Sequence, residues 1–128
     1  MNLRRTWASG LLSGTLKLLI KYTIMDHVIT ENNIDTVLSS SKVVVVDFWA
    51  PWCGPCRVLG PTMDDVAADY EGKAIVAKCN VDDCEDIAAK FGIRNIPTLI
   101  FFKDSEPVDR TNGLVSKQDI ESRIDALL

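Results

Sequence analysis

The chain has 128 residues, of which 47% are hydrophobic and 25% charged, so its composition is that of one ordinary globular domain with its own core. Residues 1–24 hold four basic residues and no acidic one, which leaves ten basic against 18 acidic residues in 25–128. That acidic part argues against nucleic acid as a partner, because phosphate repels it. No stretch approaches the roughly 20 apolar residues of a membrane span. Four cysteines are too few for a disulfide-stapled secreted scaffold.

The first 24 residues differ in character from the rest, and three interpretations of them stay open. A basic pair followed by an apolar stretch resembles a signal peptide, although Lys17 interrupts the stretch and no A-x-A-like cleavage site follows. Basic residues with Ser and Thr also fit an organellar transit peptide, but the four basic residues do not share one helix face. In the third interpretation, Met25 is the natural start. We therefore treat 1–24 as an extension and 25–128 as the domain.

Strand and helix patterns alternate along the domain. Strands alternating with helices predict a parallel portion of a sheet, and a final hairpin adds an antiparallel edge. Thr30 and Ser116 are predicted helix caps, Gly92 a predicted helix end, and Pro61 a predicted kink. The predicted elements are a strand at 27–29, a helix to about 39, a strand at 42–49, a helix at 55–70, a strand at 74–81, a helix at 84–91, strands at 98–102 and 107–111, and a final helix after 116.

The five residues Trp52-Cys53-Gly54-Pro55-Cys56 lie where the predicted central strand meets the long helix. A helix N-terminus presents unpaired N–H groups and a partial positive charge, and both stabilise a thiolate. Cys56 is one helical turn beyond Cys53, so the two sulfurs can meet in a disulfide. A thiolate beside its own resolving thiol is typical of disulfide exchange. The alternatives are a structural disulfide or half of a metal site.

This pentapeptide resembles the W-C-G-P-C signature of the thioredoxin family, and residues 45–50 and 92–98 also resemble that family. The likeness runs from about Val28 to Leu128. It implies an α/β protein with the thioredoxin fold, in which a central mixed β-sheet is flanked by helices on both faces. It further implies a general protein-disulfide reductase. Where the family has Asn-Gly in its hairpin, this chain has Asp104-Ser105-Glu106, which leaves the turn type open.

The resemblance implies that Cys53 attacks a substrate disulfide and that Cys56 displaces the reduced product. We therefore expect Cys53 to be accessible. Gly54 and Pro55 resemble the reducing members, whereas a histidine before the second cysteine marks oxidases and isomerases. The implied cofactor is only the redox-active Cys53–Cys56 disulfide, with no bound cofactor and no metal. The implied partners are protein disulfide substrates and a thioredoxin reductase. We expect a monomer in the cytoplasm, or in an organelle or outside the cell if residues 1–24 are a targeting segment.

Asp47 is a carboxylate within an apolar strand, where burial should raise its pKa. A carboxylate poised near neutrality can take the proton of Cys56 as a general base. The resemblance places the family's buried aspartate here and matches Lys78 to the family lysine near it. The alternative is a strand-edge aspartate that faces water.

The Ile96-Pro97 bond is expected to be cis and to lie beside the cysteine pair, because the family's proline is cis there. The sequence alone leaves open a trans proline that starts an edge strand. In the cis arrangement the backbone of Ile96 can pair with a substrate strand. Trp52, Ile96 and Gly113 would form an apolar collar around the thiol, with Gly113 allowing close backbone approach. Trp49 fits core packing equally well.

Cys79 and Cys84 lie outside the motif. Cys79 fits a small buried hydrophobe better than a redox role, whereas one interpretation of Cys84 is an exposed, oxidisable thiol. The four cysteines have the spacing C-x₂-C-x₂₂-C-x₄-C, which is loosely similar to that of zinc sites. A metal-binding or structural module is therefore the second hypothesis. A non-catalytic interaction module is the third.

Overall fold

The computed structural model describes residues 27–128, so the predictions for residues 1–24 lie outside the described residues. The order of strands and helices along 27–128 confirms the predicted alternation. The elements are β1 His27–Val28, α1 Ile34–Ser39, β2 Val43–Trp49, α2 Gly54–Asp69, β3 Ile75–Asn80, α3 Glu85–Lys90, β4 Thr98–Lys103, β5 Glu106–Asn112 and α4 Lys117–Asp125.

The five strands form one mixed sheet in the order β1-β3-β2-β4-β5. Strand β3 runs parallel to both β1 and β2, whereas β4 is antiparallel to β2 and to β5. Strand β2 therefore lies at the centre of the sheet. Its residues Val43 to Phe48 are all buried, because helices cover both faces.

The alternation of side chains along β2 divides the core into two layers. Val43 and Val45 pack with α2 and α4 on one face, and Val44 and Val46 pack with α1 and α3 on the other. This confirms the prediction of a sheet flanked by helices on both faces. By the same alternation, Asp47 points to the face that α2 and α4 cover.

The predicted cap at Thr30 is wrong, because helix α1 begins at Ile34 with Asn33 as its N-cap. The Asn33 side chain accepts a hydrogen bond from the Thr30 N–H at 2.7 Å and donates one to the Val28 carbonyl at 2.8 Å. The amide thus satisfies backbone groups just beyond β1. The chain makes a turn over residues 31–33 before helical geometry can start.

The other predicted ends agree with the structure. Ser116 Oγ accepts from the Asp119 N–H at 3.1 Å and caps α4. Gly92 has a φ of +64° and ends α3. The hairpin turn, whose type the sequence left open, contains Asp104 and Ser105. Both residues have positive φ, as in a two-residue hairpin turn whose twist matches that of its strands. Helix α2 is continuous through Pro61. Within residues 27–128, no helix has both the length and the apolar character needed to cross a bilayer.

Candidate active site

The two motif cysteines lie at the junction of β2 and α2. Cys53 is the N-cap of α2, with an extended backbone, and its Sγ accepts the Cys56 N–H at 3.2 Å. Pro55 occupies the first turn, where it removes a donor that has no helical acceptor. The two cysteines form a disulfide across a Cα–Cα distance of 5.3 Å. The sulfur of Cys53 thus lies among the N–H groups of a helix start, the environment that stabilises a thiolate.

The exposure of Cys53 corrects the expectation of an open thiol. In the disulfide form Cys53 is 5% exposed and Cys56 is 3% exposed. Cys53 Sγ is bonded to Cys56 and lies 3.8 Å from the Ile96 carbonyl oxygen, so neighbours cover most of it.

Trp52 directly precedes Cys53 and is 70% exposed. Its indole Nε1–H donates to Asp82 Oδ2 at 2.9 Å, which fixes the ring although most of it faces solvent. The motif residues Gly54 and Pro55 are also exposed. Sequence reasoning missed Asp82, because nothing in the spacing of residues 52 and 82 indicates that they meet.

The Ile96–Pro97 peptide bond is cis, as the family resemblance implied. Within residues 27–128, neither the N–H nor the C=O of Ile96 has a backbone hydrogen-bond partner. The Pro97 carbonyl, in contrast, accepts the Gly113 N–H at 2.8 Å. The loop beside the disulfide is thus anchored at Pro97, and the Ile96 N–H and C=O have no backbone partner among the described residues.

Gly113 has a φ of +81°, a backbone conformation that favours glycine. A Cβ placed there would meet no heavy atom of the described residues within 4 Å, apart from those of Gly113 itself and its two chain neighbours. Backbone conformation, rather than a contact within residues 27–128, therefore accounts for glycine at this position.

Asp47 lies under the site and is 2% exposed, so the strand-edge alternative is wrong. Its Oδ1 is buried and has no hydrogen-bond partner among the described residues. Burial raises the pKa of Asp47 to about 7, against an opposing effect of the Lys78 charge and with a smaller contribution from the Asp64 charge.

Lys78 lies directly opposite Asp47 on β3, but its ammonium is engaged elsewhere. The Lys78 Nζ lies 3.3 Å from Asp64 Oδ1 on α2. Sequence reasoning expected Lys78 near Asp47 and missed Asp64. The available signal was helical spacing, since Asp64 follows Cys56 by eight residues and so lies towards the same side of α2.

A cavity of about 220 Å³ connects these groups. It is lined by Asp47, Trp49, Cys56, Arg57, Gly60 and Lys78. Cys56 and Asp47 therefore border one cavity that is large enough to hold water, although they are not in direct contact. Trp49 is half-buried and contributes to this wall.

Comparisons with known proteins place this architecture in a family. The thioredoxin family model matches residues 25–126. A thioredoxin of Chlorobaculum thiosulfatiphilum is 50% identical over 97 residues, which cover 75% of this chain and 90% of that protein. This chain belongs to the thioredoxin family. Its activity is dithiol–disulfide exchange, and its redox centre is its own cysteine pair.

Further relatives include a chloroplastic M-type thioredoxin of Triticum aestivum, 46% identical over 105 residues, which cover 80% of this chain and 60% of that protein. Among solved structures, a point mutant of thioredoxin from Halobacterium salinarum is similar with a TM-score of 0.75 and 34% identity. That match covers 80% of this chain and 89% of the other. The predicted thioredoxin fold is confirmed.

The remaining two cysteines of this thioredoxin lie in the other core layer, under α1 and α3. Cys79 is 0% and Cys84 1% exposed, so the interpretation of Cys84 as an exposed thiol is wrong. The Cys84 thiol donates to the Ile29 carbonyl at 3.4 Å. Burial raises the pKa of both thiols. The four cysteines therefore do not converge, and no group of three metal-ligating side chains occurs within residues 27–128.

Proposed function

We propose that this thioredoxin is a general protein-disulfide reductase in which Cys53 attacks the substrate and Cys56 resolves the intermediate. The observation that carries the proposal is the Cys53–Cys56 disulfide at the N-terminus of α2, with Cys53 Sγ beside the Ile96 carbonyl. Cys53 is the N-cap, whereas Cys56 lies one turn inside the helix and is the less exposed of the two.

In the first step, the Cys53 thiolate attacks one sulfur of the substrate disulfide. A mixed disulfide forms and the other substrate sulfur leaves as a thiolate. In the second step, Cys56 loses its proton and its thiolate attacks Cys53 Sγ. The Cys53–Cys56 disulfide forms, and the second substrate thiolate leaves, so the substrate gains the two electrons that the cysteine pair loses.

Asp47 accepts the proton of Cys56 in the second step. Two observations support this role: both residues line the same cavity, and the pKa of Asp47 is raised to about 7 by burial. A base with a pKa near the working pH is both unprotonated often enough and basic enough to be effective. Lys78 moderates the charge of Asp47 from the neighbouring strand.

The substrate chain binds beside Cys53 as an added strand along the loop at Ile96. This binding mode is supported by the Ile96 N–H and C=O, which have no backbone partner within residues 27–128. Pro97 fixes the loop, and the exposed Trp52 face contributes an apolar contact. Gly54, Pro55 and Gly113 complete the contact surface because none of them carries a bulky polar side chain.

This thioredoxin requires no bound cofactor, and its oxidised form is reduced by a thioredoxin reductase. It works as a monomer on protein disulfides and does not bind nucleic acid, since the acidic domain repels phosphate. Residues 25–128 form the functional domain. Its location is the cytoplasm, or an organelle or the cell exterior if residues 1–24 are a targeting segment.

The test is the reduction of insulin by dithiothreitol, followed as turbidity, with Cys53→Ser and Cys56→Ser compared with the wild type. Both variants are expected to fall to the rate of dithiothreitol alone, because each removes one sulfur of the exchanging pair. On a non-reducing gel, Cys56→Ser should trap a covalent adduct with insulin and Cys53→Ser should not. The matched control is Cys84→Ser, a thiol outside the site, which should keep wild-type activity.

The assay also separates the remaining hypotheses. A folded wild type without activity would contradict the reductase and leave the non-catalytic interaction module. An adduct trapped by Cys53→Ser instead of Cys56→Ser would reverse the two roles. Zinc near one equivalent on the purified protein would favour the metal module, which the placement of the four cysteines does not support.

A further inference from the structure

The Lys78 ammonium has two carboxylates within its range and contacts only one of them. Asp47 lies directly opposite Lys78 in the β2–β3 register. The Lys78 Nζ nevertheless forms its ion pair with Asp64 on α2 at 3.3 Å. Asp47 Oδ1 has no hydrogen-bond partner among the described residues. The Lys78 ammonium, which could neutralise the buried Asp47 carboxylate, is thus paired with the Asp64 carboxylate instead.

The two possible ion pairs differ in solvation. The side chains of Lys78 and Asp64 are 26% and 56% exposed, so water solvates both charges of that pair. Asp47 is 2% exposed, and a direct pair with it would take the ammonium out of water. Desolvation opposes such a buried pair, and a lysine on its flexible four-carbon stem can choose between the two positions.

We propose that Asp64 is a positioning residue that anchors the Lys78 ammonium at the rim of the cavity and so prevents a direct ion pair between Lys78 and Asp47. This inference rests on the proposed role of Asp47 as the base for Cys56. A direct ion pair would stabilise the ionised carboxylate and make it a weaker proton acceptor. Asp64 therefore keeps the base effective without touching any reacting atom.

The groups that face Asp47 leave few other sources of charge. Lys78 faces it from β3, and Asp64, Arg57 and Cys56 come from α2. On the same face, β4 and α4 contribute apolar side chains, Leu99 from β4 and Ile120 and Ile124 from α4. Because Asp64 also acts on Asp47 through its own charge, a direct field effect has to be distinguished from an effect through Lys78.

The test is the titration of the Asp47 carboxyl carbon by NMR in the wild type and in Asp64→Asn, each also in a Lys78→Gln background. In Asp64→Asn the midpoint should move down by about one pH unit, as expected for a carboxylate that gains a cation within a few ångströms. In the Lys78→Gln background the same substitution should move it much less. Asp65→Asn is the matched control, since Asp65 is the next, exposed residue of α2 and does not pair with Lys78.

An equal shift of the Asp47 midpoint in both backgrounds would overturn the proposal, because Asp64 would then act by its charge alone. The absence of any shift in Asp64→Asn would overturn it as well. The pH profile of insulin reduction gives a second readout, and its lower limb should move with the Asp47 midpoint in Asp64→Asn. If Asp47 is not the base for Cys56, the result differs from both of these outcomes. In that case Asp47→Asn would leave the pH profile unchanged, whereas the NMR midpoint would still report whether Asp64 controls Lys78.

Discussion

The two cysteine pairs of this thioredoxin make opposite use of the same local feature. Cys53 is the N-cap of α2, and Cys84 is the N-cap of α3. Cys53 Sγ accepts a helix N–H, that of Cys56, and is part of the disulfide. Cys84 makes no side-chain cap, and its thiol donates to the Ile29 carbonyl instead. A cysteine at a helix N-terminus is therefore not a redox centre by position alone.

Charge and helix length explain the difference. Helix α2 has 16 residues and no acid in its first turn, whereas α3 has six residues and begins with Glu85 and Asp86. Burial raises the pKa of Cys84 against the opposing effect of a hydrogen bond with the Cys79 thiol, and the charges of Glu31 and Asp83 raise it further. Since a thiolate needs nearby positive charge and a donor, only Cys53 has the environment of a nucleophile.

The largest expected effect is in thiol reactivity. In the reduced protein at neutral pH, Cys53 should be alkylated by iodoacetamide at least about 100-fold faster than Cys79 or Cys84, because the helix start favours its thiolate and burial disfavours theirs. Peptide mass spectrometry after timed quenching measures each rate.

The control is the same reaction in guanidinium chloride, where all four cysteines should react at similar rates. Comparable native rates for Cys53 and Cys84 would mean that the N-cap position, and not its surroundings, determines reactivity.

A second prediction concerns Asp47, which is buried on the opposite face of the sheet from Cys79. The pKa of Asp47 is about 7 in the folded protein against 3.8 ordinarily, so between these values the folded state binds more protons than the unfolded chain. Its contribution to stability is therefore present at low pH and is lost as pH rises towards 7. Asp47→Asn should raise the unfolding free energy at pH 8 by up to about 4 kcal/mol, and by little at pH 4.

Urea denaturation of the oxidised protein between pH 4 and 8 measures this difference. Asp65→Asn removes the same charge from an exposed position of α2 and should show no comparable rise. A gain for Asp47→Asn that is equal at both pH values would show that Asp47 is not the group that titrates.

The sequence predicted the order of elements and the position of the disulfide, because these depend on local patterns, whereas the helices on both faces of the sheet were implied by the family resemblance. Four consecutive valines before Asp47 identify the central strand, and the W-C-G-P-C motif identifies the start of α2. The buried aspartate was predictable for the same reason, since all its neighbours along the strand are apolar.

Two of the errors concern groups whose partners are distant in sequence, whereas the error at Thr30 is local. The acidic residues on both sides of Cys84 are compatible with an exposed thiol. In the structure, however, the thiol is buried and donates to the Ile29 carbonyl. Thr30 is a residue type that often caps helices, but here Asn33 is the N-cap, and its side chain bonds the Thr30 N–H and the Val28 carbonyl. The spacing along α2 places Asp64 towards the side of Cys56, but which residue of β3 it meets depends on how α2 packs on β3.

The smallest expected effect is a difference in unfolding free energy between serine substitutions at the two buried thiols, Cys79 and Cys84. Cys79→Ser should lower the unfolding free energy by about 1–3 kcal/mol, because it places a hydroxyl in an apolar layer where its polar neighbour is the Cys84 thiol, a weak acceptor. Cys84→Ser should cost less than about 1 kcal/mol, since the new hydroxyl keeps the Ile29 carbonyl as its acceptor. Urea midpoints at unchanged slope measure both. An equal loss in the two variants would mean that the Ile29 contact contributes nothing, and that Cys84, like Cys79, is held by packing alone.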